Sequence, residues 1–219
     1  MKTKKLCTAA GCSSEVLYGD LCQVHADRKH RFGHPELVPL ARREVRQYHE
    51  VVDREMTRTG VRKQIEDYYE NMRQEQAAVV EDMNRRGYGQ LNAYYAALDF
   101  IDAVGDHPKQ VLLDLIAFGW MLQLHQDRFP NAESTNLAAA KVLRWSLVKG
   151  TKRTLRKDGQ IEVSRRALRR DAKKYLGDLL IPTLVSFGYA MAKTWVEHEK
   201  AKGELKASIM EKITQAPQD

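Results

Sequence analysis

Cys7, Cys12, Cys22 and His25 follow one another as Cys-x4-Cys-x9-Cys-x2-His, and the chain of 219 residues has no cysteine besides these three. Three thiolates and one imidazole are a tetrahedral zinc set, and four protein ligands close the shell, which points to a structural ion and not a catalytic one. The surrounding segment is short and polar with little apolar surface to bury, so a metal is the natural means of holding it folded. Met1-Lys2-Thr3-Lys4-Lys5 is basic with no apolar stretch behind it, so no secretory signal is expected. An odd number of cysteines without such a signal favours a reducing, cytoplasmic compartment and metal ligation over disulfides. His30 and His34 are alternatives for the fourth ligand, although Cys-x2-His is the better hook.

A second set of residues carries charge. Residues 141–174 hold thirteen Lys and Arg against three acids, Asp158, Glu162 and Asp171, a larger excess than the net +7 of the whole chain. Residues 91–136 are the reverse, with Lys109 and Arg128 against six acids. Segregation of this kind predicts one anion-binding face. Lys152, Arg153, Arg156 and Lys157 fall on an expected β-hairpin. Arg165, Arg166, Arg169, Arg170, Lys173 and Lys174 fall on the helix expected after it, where their spacing places them on one broad face. Such a face neutralises phosphates and binds with strong salt dependence. Asn and Gln, which pair with adenine edges, are nearly absent from it, so backbone contacts should outweigh base readout.

The N-terminal segment resembles a small zinc-binding module common in bacteriophage proteins, found at the start of phage HNH-type endonucleases and other phage DNA-associated proteins. The residues that carry the resemblance are Lys5-Leu6-Cys7, Gly11-Cys12, Tyr18-Gly19-Asp20-Leu21-Cys22-Gln23-Val24-His25, Arg28 and Arg31-Phe32-Gly33. Asp20, between the glycine and the leucine of the hook, departs from the shared frame. The resemblance covers about thirty residues and implies a zinc module without specifying an activity. An HNH nuclease needs a His-rich catalytic hairpin with a downstream Asn and His. The isolated His107-Pro108 and Asn131 do not supply one, so the nuclease activity is not carried over.

Other chemistries lack their motifs. There is no P-loop, dinucleotide fingerprint, Ser or Cys nucleophile motif or paired loop carboxylates. His49-Glu50-Val51-Val52-Asp53 has Asp where a zinc peptidase has its second His, and reads as a solvated helix face. Tyr94, Tyr95, Phe118, Trp120, Trp145 and Trp195 recur at helical spacing and read as core.

The elements that position these residues follow from periodicity. Composition is that of a soluble helical protein, with 43% apolar and 30% charged residues and few Pro or Gly. Ala41, Val45, Tyr48, Val52 and Met56 form one amphipathic stripe, and Gly60 interrupts it. Val61, Ile65, Tyr68, Met72, Val79 and Met83 form the next, packing within the monomer and ending at Gly87-Tyr88-Gly89. A third helix spans 91–104. Asp106 and Pro108 start an apolar helix that runs to about His125 and should lie at the centre of the fold. Its longest apolar run contains Asp114 and is too short to span a membrane. Ser134 or Thr135 caps a helix running through Val148. Asp158-Gly159 is a favoured hairpin turn. Ser164 caps the helix carrying the basic face, which Ile181-Pro182 ends or kinks. A further helix follows with Leu184, Phe187, Tyr189, Met191, Trp195 and Val196, and the tail from Gly203 should fray.

The expectation is an all-α protein of about seven helices: a zinc module at 1–34 and a helical domain at 35–219 with a basic hairpin-helix at 150–180. Its expected function is a non-enzymatic, phage-type nucleic-acid-binding protein of transcription or replication, contacting DNA through its backbone, with a structural Zn2+. The alternative is an interaction protein that docks on a host or phage enzyme such as RNA polymerase, as inhibitor, regulator or accessory subunit. Neither reading calls for a membrane or a small-molecule substrate, and both place the protein in the cytoplasm, the host's if the chain is phage-encoded.

Overall fold

The structure is a computed structural model that describes residues 5–87, 91–106, 108–145, 147, 152–155, 161–164 and 168–215; for 104–106, 152–155, 161–164 and 205–215 it describes the backbone alone. The chain is predominantly helical. In order, the helices are α1 (Gln23–Phe32), α2 (Arg42–Arg46), α3 (His49–Arg58), α4 (Arg62–Arg86), α5 (Leu91–Asp106), α6 (Pro108–Leu124), α7 (Ala132–Arg144), α8 (Arg170–Leu180) and α9 (Ser186–Gln215).

The apolar helix occupies the centre, as its sequence predicts. Val111, Leu115, Ile116, Ala117 and Phe118 of α6 have no accessible surface, and Trp120 retains 1%. Helices α2, α3, α7 and α9 surround it, α8 packs on α5 and α7, and α4 lies along α5. The Val45, Val52 and Met56 stripe is buried. On α4 the buried tyrosine is Tyr69, edge-on to Phe100 at 5.7 Å, and the expected Tyr68 lies on the rim against Phe187. α5 turns its small residues inward, with Ala93, Ala96, Ala97 and Ala103 flanking Phe100, while Tyr94 and Tyr95 stay half-buried. Trp120 meets Trp195 at 5.6 Å across the α6–α9 contact.

That contact depends on two glycines. A Cβ on Gly188 would lie 1.8 Å from the Ile116 carbonyl oxygen, and one on Gly119 would lie 1.9 Å from that of Val185. The two helices therefore cross backbone against backbone, at a separation no side chain permits. Pro182 lies beside this crossing. Without an N–H, and with a ring that collides with the carbonyl four residues back, proline interrupts an α-helix. Here the chain widens into a π-type turn, Ile181–Val185, in which the Ser186 N–H reaches the Ile181 carbonyl. The helix continues through the proline instead of ending. The run Arg170–Glu204 is, among the described residues, the one helical stretch long and apolar enough to cross a membrane by length and composition alone. Its Leu176, Leu180, Leu184, Val185 and Ala192 are buried in the core.

Asp114 is fully buried in the middle of α6. A buried carboxylate must be paired, and three groups converge on it: the Arg42 guanidinium at 3.3 Å, His49 Nε2 at 2.9 Å and Gln110 Nε2 at 3.1 Å. α2 and α3 are thereby tied to the central helix. His49 is thus an inward partner of α6 and not part of a solvated face. Asp99, 2% exposed on α5, meets Arg144 Nε of α7 at 2.9 Å.

Helix boundaries depart from the sequence expectation at both ends of α7, at the start of α8 and in the tail of α9. The N-cap of α7 is Asn131, whose Oδ1 accepts the Ser134 N–H at 2.8 Å; the Ser134 and Thr135 hydroxyls donate to the Asn131 carbonyl. α7 ends at Arg144 and not at Val148. Ser164 does not cap a helix, because it belongs to β2 (Ile161–Ser164), which pairs antiparallel with β1 (Lys152–Leu155), Lys152 opposite Ser164 and Leu155 opposite Ile161. The next helix begins at Arg170, after Arg169 in extended conformation. Residues 156–160, including the Asp158-Gly159 turn, lie outside the described residues, so the hairpin itself is not seen. The backbone of α9 runs on through the tail to Gln215. His107, and the Asp106 side chain read as a cap, also lie outside the described residues.

Candidate metal centre and basic face

The N-terminal module is built from turns. Leu6 bridges Glu15, and the Cys7 N–H donates to the Ser14 carbonyl at 2.9 Å, which folds the strand-like ends of a loop together. Gly11 and Gly19, at φ 70° and 59°, turn the chain before Cys12 and Cys22. Cys22 is the N-cap of α1, and His25 follows on its first turn. This hook is why Cys-x2-His works: the helix start projects both side chains toward the same point.

The four predicted ligands come together. Their donor atoms all lie within 4.8 Å of one another. Cys12 and Cys22 Sγ are 3.9 Å apart, and His25 Nδ1 lies 3.4 Å from Cys7 Sγ and 3.3 Å from Cys22 Sγ. An ion at usual zinc bond lengths would set sulfur–sulfur edges of about 3.8 Å and sulfur–nitrogen edges of about 3.5 Å, so the cluster has the size of a metal shell. All three cysteines are free. Their ionisation fits the same picture. The Cys12 thiol is lowered to about 6, chiefly by the Ser14 backbone N–H and hydroxyl. For Cys22 the nearby His25 backbone N–H favours the thiolate, yet burial and the neighbouring thiols push its pKa up. Thiolates packed this closely repel one another unless a cation sits among them. His25 is the histidine brought to the thiols; His34 Nδ1 instead accepts the Glu36 N–H.

The module docks on the helical body through Gly33 and Phe32. Gly33, at φ 79°, caps α1, and a Cβ there would stand 2.9 Å from the Ser134 nitrogen. Asn131 Nδ2 donates to the Gly33 carbonyl at 3.3 Å. Gly33→Ala is therefore expected to cost about 2 kcal/mol or more, the left-handed penalty plus a collision with α7. Gly11→Ala has a similar φ and nothing within 4 Å of its Cβ; it should cost only the backbone part, about 1 kcal/mol. Chemical unfolding of both variants checks the difference, and equal losses would show that docking at Gly33 does not matter.

The basic residues divide into three groups. Arg156, Lys157, Arg165 and Arg166 lie outside the described residues. Lys152 and Arg153 lie on the backbone of β1, with their side chains undescribed. Arg169, Arg170, Lys173 and Lys174 are described. Of these, Arg169 is exposed. Arg170 and Lys174 both meet Glu133 of α7, at 2.7 and 3.3 Å. Burial opposes the Glu133 charge, but these two cations hold its carboxyl below the usual range. Lys173 turns inward beside a cleft shared with Arg31, Lys141 and Arg144. That cleft escapes a reading of the sequence, because its walls come from four separate stretches of chain.

The chain matches no protein-family model, no curated protein and no solved structure.

Proposed function

We propose that this chain is a non-enzymatic, zinc-stabilised protein that binds nucleic acid through phosphate contacts, in the manner of phage DNA-associated proteins that serve transcription or replication. The observation that carries the reading is the excess of thirteen bases over three acids within 141–174, in a chain whose total is only +7. A polyanion is the partner that such a segment attracts. Three sulfurs and one nitrogen favour zinc over harder ions for the metal centre. The ion's role there is to hold the module in shape against α7, where Lys29 and Arg31 of α1 can join the contact. The host cytoplasm is where a reduced zinc module and a nucleic-acid ligand coexist.

One observation favours the alternative of docking on a protein such as RNA polymerase. Leu6, Leu17, Tyr18 and Val24 of the module are each more than half exposed, and exposed apolar side chains on so small a unit suit a protein contact. The two readings separate by experiment. Replacing Arg156, Lys157, Arg165 and Arg166 together with Ala should weaken binding to a nucleic acid by about tenfold or more at low salt. It should also lower the salt slope by roughly 3 to 4. An unchanged affinity and slope, or binding that tracks one purified protein and ignores nucleic acid, would overturn the first reading.

A further inference from the structure

A cleft of about 580 Å³ lies between the N-terminal module and the helical body. Its apolar walls are Phe32 from α1, Leu37 and Leu40 from the linker, Phe129, and Leu137 and Trp145 at α7. Its polar groups are overwhelmingly cationic: Arg31, Lys141, Arg144 and Lys173, with no carboxylate among the described lining residues. This size and lining suit a small organic ligand.

Arg31 and Arg144 stand close enough to Lys173 to repel its charge. Arg144 has Asp99 behind it at 2.9 Å. Lys141 donates to the Leu40 carbonyl at 2.8 Å and stands 5.9 Å above the Phe32 ring. Burial, and then Arg144 and Arg31, hold the Lys173 ammonium below the usual lysine range, with Asp99 pulling the other way. Burial likewise lowers Lys141, with Glu44 pulling the other way and Arg128 adding to the shift. Like charges held close at the mouth of an apolar cleft are stabilised by a multiply charged anion. A simple carboxylate would engage one or two of them. Three aromatic rings on the walls suit a flat body, since base–aromatic stacking contributes to binding irrespective of the base.

We propose that this cleft binds a nucleotide unit, its base among Phe32, Phe129 and Trp145 and its phosphate among Arg31, Lys141, Arg144 and Lys173. Two sources supply that chemistry, a free mononucleotide and an unpaired position in a strand. The second source rests on the nucleic-acid reading above, and the first does not. One wall of the cleft belongs to the module, so an intact metal centre is required for binding.

The test uses the full chain as purified, with metal, and follows tryptophan fluorescence and calorimetry. The probes are adenosine 5′-monophosphate, adenosine, inorganic phosphate and a short single-stranded oligonucleotide. The monophosphate, the strand or both should bind, with adenosine and phosphate each weaker by about tenfold or more than the monophosphate. Arg31→Met and Lys173→Met keep the apolar stems and should each weaken binding by about tenfold; circular dichroism confirms that they fold. Competition between monophosphate and strand would identify a shared site open to both sources. The proposal is overturned if neither probe binds, if phosphate binds as well as the monophosphate, or if neither Met variant has an effect. Strand binding that survives both Met variants would overturn the cleft and leave the nucleic-acid reading standing. Monophosphate binding without strand binding at any salt would do the opposite.

Discussion

Stripping the metal from the full chain with a strong chelator, or replacing Cys22 with Ser, should abolish the fold of the N-terminal module while the helical body survives. The reason lies in what the module buries. Its own cluster consists of Cys7, Ala9 and Cys22, with Cys12 and Leu21 partly covered. Three of those five are ligands, so without the ion almost nothing apolar holds the turns together. In so small a unit, metal binding and folding are one process. Serine does not replace the thiolate, because its hydroxyl stays protonated and is a poor ligand for a soft site. As purified, the chain should carry about one zinc ion. Removing it should expose the module up to Gly33 to protease, while the body, which holds Leu37 and Leu40 in its own core, still unfolds in one cooperative urea transition. A metal-free N-terminus that resists protease would contradict the assignment.

The largest loss of stability in the body is expected from a single methyl group at Gly188. Gly188→Ala places a carbon on the Ile116 carbonyl oxygen, and both atoms belong to the backbones of long helices that cannot swing aside like a side chain. The helices must separate, and the core between Trp120 and Trp195 opens with them. The cost should reach about 3 kcal/mol or more, a large part of the roughly 5–15 kcal/mol that holds a domain folded. Gly119→Ala should behave alike, since its Cβ meets the Val185 oxygen at 1.9 Å. The double variant should cost less than the two singles combined, because one displacement relieves both contacts. Gly203 is the control. It lies in α9 with nothing within 4 Å, and Ala there should stabilise by about 0.5–1 kcal/mol. Urea midpoints measure all four, and a Gly188→Ala loss below about 1 kcal/mol would show that the crossing is looser than described.

What the sequence reveals here is local or periodic. The metal ligands were legible because a turn and a helix start fix them within nineteen residues. The central position of α6 was legible because a helix apolar on all sides can lie nowhere else. The inward role of His49 was not, since Asp114, its partner, is sixty-five positions away. The cap of α7 was misread because three residues near its start can all cap, and only the structure decides that the Asn131 side chain accepts while the hydroxyls donate. The start of α8 was misplaced because Ser164, a good cap by type, is engaged in strand pairing. Glycines at a helix crossing leave no periodic trace, so the α6–α9 contact was invisible. The cleft between module and body depends on all of these placements together.

The base-rich segment of this metal-stabilised chain is proposed to bind nucleic acid through phosphates. The measurement that tests it most directly is the affinity of the wild-type, metal-loaded chain for a labelled oligonucleotide between 50 and 200 mM salt, conditions over which about six phosphate contacts would cost roughly a thousandfold. Log affinity should fall in a straight line against log salt, with a slope of about −4 or steeper. Absence of binding at the lowest salt, or a slope near zero, would contradict it.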